Sequence, residues 1–126
     1  MNKTITIDGR DVIFKATAAT PRKYRQSTGR DLFVDMQMLM TKFQQMLAES
    51  KDPDLPEEER HELSSEELTI FEEAAFTMAK QADPENTPDS ADDWLDTFEM
   101  FSIWMILPEI LELWHLNQAS TSNPKK

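Results

Sequence analysis

The sequence predicts a mainly α protein: a compact helical domain of about four to five helices with a small N-terminal β-hairpin. Three observations lead there. Apolar residues recur at helical spacing in several separate segments. Each of those segments opens on a residue that can cap a helix. Only the first fifteen residues alternate with the two-residue period of a strand. The 126 residues suit one domain with one core, placed at 1–117, followed by a polar tail at 118–126 predicted to be disordered.

Residues 4–15, TITIDGRDVIFK, read as the hairpin. Ile5 and Ile7 alternate with Thr4 and Thr6, and Val12 and Phe14 alternate across the second strand. Asp8-Gly9 is the turn, because a type I′ turn needs positive φ at both central residues. Thr20-Pro21 reads as N-cap and first helical residue of a short helix that stops at Gly29. Asp31 caps the next helix, LFVDMQMLMTKFQQMLAES. Leu32, Met36, Leu39, Phe43, Met46 and Leu47 form its inner face, widened by Phe33 and Met40. Asp35, Lys42, Gln45 and Glu49 form its polar face.

The proline-rich acidic run 51–63, KDPDLPEEERHEL, reads as a mobile loop. Ser64 and Glu67 make a capping box for a helix reaching about Gln81, with Leu68, Phe71, Ala75 and Met78 turned inward. DPENTPD breaks it. Ser90 caps a further turn that carries Trp94, Leu95, Phe98 and Phe101 inward. The last segment, SIWMILPEILELWHL, is the most apolar. Its six core-type residues Ile106, Leu107, Ile110, Leu111, Leu113 and Trp114 oppose a polar stripe of Glu109, Glu112 and His115. Ser102 is its candidate N-cap, and Pro108 predicts a kink or break near Leu107.

Composition narrows the functional classes. The formal charge is −11, divided as +3 over the first fifty residues and −14 over the rest. Such a chain repels phosphate backbones, which argues against nucleic-acid binding. Arg22, Lys23, Arg25 and Arg30 are the one basic cluster and read as a solvated helix face. Without cysteine there is no thiolate metal site and no thiol nucleophile. No segment has the length and apolarity of a membrane span, and the N-terminus has no signal-peptide pattern.

Glu-x-x-His occurs twice, at Glu58/His61 and Glu112/His115, a spacing used by di-iron helical bundles. One pair falls in a proline-rich loop and the other on an outward stripe, so no metal site or other cofactor is expected. No paired carboxylate, glycine-rich loop or serine triad stands out, so no enzyme is expected either. Eight methionines remain, four of them (Met36, Met38, Met40 and Met46) on the one helix LFVDMQMLMTKFQQMLAES. Apolar residues there and in the last helix exceed what one neighbour covers. Phe33, Met38, Met40, Trp104 and Trp114 are therefore the candidate contacts for an apolar client.

FKATAATPRKYRQSTGRDLFVDM, the AKQADPE turn, DDWLDTFEMFSIWMILPEILELW and the terminal NPKK together resemble the tail assembly chaperones of long-tailed bacteriophages, the siphophages and prophages of Gram-positive bacteria. The resemblance covers residues 5–126 apart from the acidic loop. It implies a protein of the host bacterial cytoplasm, absent from the mature virion. It also implies a chaperone that keeps the helical tape measure protein soluble during tail tube assembly. A frameshift-extended second product, for which Lys125-Lys126 would encode the slippery site, would recruit the tail tube protein. Self-association fits this picture; a nucleic acid or a membrane as partner does not. The alternatives from the residues alone are an acidic DNA mimic or host-factor inhibitor, a transcriptional adaptor using helix 21–28, and a minor structural tail subunit.

Overall fold

A computed structural model describes residues 1–122. It is mainly helical, with one antiparallel hairpin at the N-terminus. The strands are β1, Asn2–Ile7, and β2, Arg10–Lys15. The helices are α1, Thr20–Thr28; α2, Leu32–Ser50; α3, Ser65–Ala82; α4, Ala91–Leu95; and α5, Ile103–Ser122.

The hairpin turns at Asp8 and Gly9, whose φ angles of 59° and 76° meet the sign that a type I′ turn demands. Its register pairs Ile5 with Val12 and Lys3 with Phe14. Cross-strand partners share a face, so Lys3, Ile5, Ile7, Arg10, Val12 and Phe14 all point toward the helices. Ile5, Ile7 and Phe14 are buried. At one end Lys3 donates to Glu112 and pairs with Glu109 on α5 (2.5 and 3.0 Å). At the other, the Arg10 guanidinium lies 4.2 Å from the centre of the Phe98 ring. These two cations fasten the two ends of the hairpin to different elements.

α3 is the central post. Its capping box forms as predicted, with Ser64 accepting from the Glu67 amide and Glu67 accepting from the Ser64 amide. From Ala74 to Ala79 every side chain is buried. Three of those six are alanines, and their small side chains let β2 and α1 approach closely. Around α3, Trp94 collects Phe14, Phe76, Phe98 and Phe101 at ring-centre distances of 5.3–6.2 Å. Most of these are edge or tilted arrangements, which the ring quadrupole favours.

α1 departs from expectation at its start. Ala19 is the N-cap and Thr20 is already helical. The Thr20 hydroxyl is turned into the core, where it donates to Gln81 Oε1 (2.7 Å) and accepts from the Thr17 amide (2.8 Å). Gln81 in turn donates to Thr17 Oγ1, so the cap position is sacrificed to a closed network. Gly29 ends the helix in the left-handed region, as expected, its amide bonding to the Arg25 carbonyl.

Asp35 is the largest correction on α2. Assigned to the polar face, it is only 2% exposed. It accepts the Tyr24 hydroxyl (2.7 Å) and a two-pronged contact from Arg30 (2.8 and 2.9 Å). Arg30 is thereby removed from the solvated basic cluster. Leu47, expected inside, is 38% exposed.

Loop 51–63 is pinned rather than loose. Arg60 donates to the Glu49 and Asp52 carbonyls, and His61 bonds to the Glu49 carboxylate through its amide and Nδ1. A single 3-10 turn forms at Glu57–Glu59, and Leu63 is buried. The sequence shows the loop's composition but not these long-range anchors.

α5 runs through Pro108 without a break at Leu107. All six residues predicted for its apolar side are buried, and that packing holds the helix across the proline. Ser102 stands in the N-cap position, its carbonyl accepting from the Ile106 amide. The tail expected from 118 onward is helical as far as Ser122. Asn117 is buried one turn beyond Leu113, so packing carries the helix past the last apolar residues. Lys125-Lys126 and the rest of NPKK lie outside the described residues.

Burial alone would raise the pKa of Asp35. The Arg30 and Tyr24 hydrogen bonds and the Arg30 charge outweigh it and hold the carboxyl below its usual range. A depressed carboxyl contributes stability above its unfolded pKa of about 3.9 and loses it as pH falls through the lower folded value. Arg30 is half in water, so the full penalty of a broken buried pair does not apply. Asp35→Ala should cost about 2 kcal/mol in urea unfolding at pH 7. The wild-type advantage over this variant should shrink steadily below about pH 4.

Candidate docking face

The apolar surface is built from the two helices the sequence singles out. α2 and α5 run antiparallel: Phe33 packs on Trp114 at 5.3 Å and Phe43 on Trp104 at 5.6 Å. Near the start of α2, Phe33, Met36, Met40 and Trp114 line a shallow depression of about 300 Å³. Near its end, Met46, Leu63, Leu68, Ile103 and Trp104 line another of about 280 Å³, whose polar lining mixes Glu49 and Glu62 with Arg60 and His61.

Between these hollows runs a stripe. Phe33, Met40 and Leu47 are seven residues apart, and at 3.6 residues per turn they nearly superimpose along one side of α2. Phe33 is 50% and Leu47 38% exposed, and Met40 is partly buried. Trp104, 48% exposed, flanks the stripe from α5.

The charged residues of α2 have the same spacing and a different fate. Asp35, Lys42 and Glu49 are the only ionisable side chains in this helix. Each is paired inside the molecule: Asp35 with Arg30, Lys42 with Glu67 (3.6 Å), Glu49 with His61. The three charged residues of the predicted polar face are thus turned against α1, α3 and the loop, while its fourth member, Gln45, stays exposed. What α2 shows to solvent beside the stripe is uncharged: Gln37, Thr41 and Gln44.

The structure divides the five candidate residues. Phe33, Met40 and Trp104 lie on this face. Trp114, 7% exposed, is a core residue that backs Phe33. Met38 sits about 140° round the helix from Phe33, on the opposite flank, and packs on the core. Leu47 belongs to the stripe, and the sequence reading had placed it inside. Its seven-residue spacing from Phe33 and Met40 was the available signal.

The remaining lines of chemistry resolve as geometry. Glu109 and Glu112 face outward and hold Lys3; its side-chain hydrogen bonds to Glu112 and then Glu109 raise the lysine pKa. His61 is bound to Glu49, not to Glu58. Among the described residues no group of three or more potential ligands is placed to hold a metal ion. No described helix is long and apolar enough to cross a membrane. Glu72 and Glu73 on α3 have raised pKa values. Burial comes first in both; repulsion from Asp92 adds to it, and in Glu72 repulsion from Glu73 as well.

No protein-family model, no curated protein and no solved structure matches this chain.

Two outcomes follow from burial and charge. Trp114→Ala should cost about 3–5 kcal/mol in urea unfolding, whereas Trp104→Ala should cost no more than about 1.5. Equal costs would mean that Trp104 belongs to the core. Glu73→Gln should raise the stability at pH 7 by about 0.5 kcal/mol, because a raised carboxyl is strained while ionised. That gain should fade as pH drops toward 4, where protonation relieves the wild type too.

Proposed function

We propose that this protein is a tail assembly chaperone of a long-tailed phage. It keeps the apolar, helical tape measure protein soluble while the tail tube assembles. The observation that supports this most is the neutral apolar stripe Phe33–Met40–Leu47, flanked by Trp104, on a chain of net charge −11.

An amphipathic client helix would lie along the stripe and insert side chains into the hollows at its two ends. The i, i+7 spacing of the stripe is the period at which a second helix can pack over several turns. Binding would shift the client from aggregate to complex by mass action. The acidic remainder of the surface would keep the loaded assembly from self-associating nonspecifically. The protein would act in the host bacterial cytoplasm and be absent from the mature virion. A frameshift-extended form would recruit tail tube subunits. It is no enzyme in this reading, and it takes no cofactor.

Co-expression with a tape measure protein tests the reading. Wild type should move at least half of the client from pellet to supernatant. Met40→Asp and Trp104→Asp should each reduce that fraction by about ten-fold, the loss of roughly one good apolar contact. Both variants should keep the wild-type far-UV circular dichroism. Should both unfold, the stripe is core and the mapping fails; should both hold the client as wild type does, the client lies elsewhere.

A further inference from the structure

Pro108 contradicts the helix it sits in. A proline has no amide to donate, and its ring crowds the carbonyl four residues back, so a helix interior is a poor place for it. The carbonyl that loses its helical donor is that of Trp104. Among the described residues no amide from outside the helix and no side chain donates to it.

The helical turn fixes where this acceptor lies. Trp104 and Pro108 are about 40° apart round α5, and His115 falls between them two turns further on. Trp104 and His115 are exposed and Pro108 is half-buried, so this flank opens to solvent. A helix carbonyl points along the axis toward the residue four ahead. That of Trp104 therefore lies on the same flank. α2 packs beside it through Phe43 on Trp104 and Phe33 on Trp114. The hollow near the start of α2 takes Phe33 and Met40 from one helix and Trp114 and His115 from the other. The stripe on α2 and this flank of α5 are thus two walls of one groove, and the second wall carries an unpaired acceptor.

Nothing in the packing of α5 accounts for the proline. Six buried side chains hold the helix across it, and none of them is Pro108. A local rule broken on an outer flank, without a structural return, marks a place where function sets the residue. Covering the carbonyl with purely apolar surface would remove its water and supply no partner. A donor from the occupant of the groove would restore the bond. Two observations favour an uncharged donor. The carbonyl lies in the first two turns of α5, whose positive end disfavours a cation. The hollow at Trp104 mixes Glu49 and Glu62 with Arg60 and His61, so it has no strong preference of sign. Serine and threonine hydroxyls bond back to their own helix, which leaves the longer amide side chains.

We propose that the Trp104 carbonyl, freed by Pro108, sets the register of the bound client. The client segment is an amphipathic helix whose apolar side is interrupted once, by a glutamine or asparagine that donates to this carbonyl. A uniformly apolar helix could slip along the stripe by a heptad and lose little. One polar pair in an apolar seam removes that freedom. The stripe supplies affinity and the carbonyl supplies position. This inference rests on the proposed function for its occupant.

Isothermal titration calorimetry with two synthetic helices tests it. Both are amphipathic peptides of about three heptads with leucine at the a and d positions. One carries glutamine at the central d position, the other methionine, which has similar length and no donor. Pro108→Ala and Pro108→Leu each return an amide to position 108 and draw the carbonyl back into the helix. Both variants should unfold at higher urea than wild type. Wild type should favour the glutamine peptide over the methionine peptide about ten-fold more than either variant does, the worth of one hydrogen bond. Pro108→Leu keeps the apolar bulk, so its loss of preference cannot come from a smaller side chain. A proline with a merely structural role would change stability and leave the ratio of the two affinities alone. An unchanged ratio overturns the proposal, as do variants that unfold at lower urea or a wild type that binds neither peptide. Solubilisation of the tape measure protein by a wild type without the preference would leave the chaperone reading standing and remove the register mark. The preference in a wild type that fails to solubilise that client would do the reverse.

Discussion

Three charged side chains set seven residues apart decide how α2 is rotated. Asp35 is drawn down to Tyr24 and Arg30, Lys42 toward Glu67, and Glu49 to His61. Their strengths are unequal. The Lys42 contact at 3.6 Å is weak and partly wet, whereas Asp35 is buried and carries three hydrogen bonds. A buried carboxylate deprived of its partners is costly, so the Asp35 end dominates. With that side of the helix committed inward, the side about 200° away must face out. That side carries Phe33, Met40 and Leu47.

The second constraint is the shortage of places to put apolar surface. α3 is enclosed from Ala74 to Ala79 and has nothing further to offer. The hairpin covers it with Ile5, Ile7 and Phe14, and Trp94 with its four aromatic partners closes one side. α5 buries six large side chains against this assembly and α2 buries five. A domain of this size has a high ratio of surface to volume. Once those residues are inside, the remainder on α2 and the start of α5 has no element left to cover it. The exposed stripe thus follows from packing around α3 as much as from the rotation of α2.

These two constraints separate what was legible in the sequence from what was not. Local signals read well. Asp8-Gly9, the Asp31 cap, the Ser64–Glu67 box and Gly29 each act over a few residues, and each is where it was expected. The apolar side of α5 was equally clear from its period. What failed were residues whose partner is distant or whose chemistry has two uses. Asp35 has the composition of a surface residue and the environment of a core one, because Arg30 and Tyr24 come from outside its helix. Thr20 could cap a helix, and instead bonds to Gln81, 61 residues away. Loop 51–63 has a disordered composition and is held by anchors on α2. At the docking face, the choice of helices was readable; the choice between Trp104 and Trp114 required knowing that Trp114 lies under Phe33.

The placement of charge gives the face its character. A chain with 24 acidic residues could have flanked the stripe with carboxylates. α2 does not do so: its two acids are both consumed internally, and its outer side is completed by Gln37, Thr41 and Gln44. Had α2 been rotated to display Asp35 and Glu49, the field beside the stripe would have been negative. It would then have selected basic clients by steering. A neutral border exerts no such preference. A partner meeting that side would be selected by shape and apolar area, to which flexible methionine and aromatic side chains can adjust. The same internal pairing that stabilises α2 therefore leaves its outer side without a charge of its own to bias what it meets.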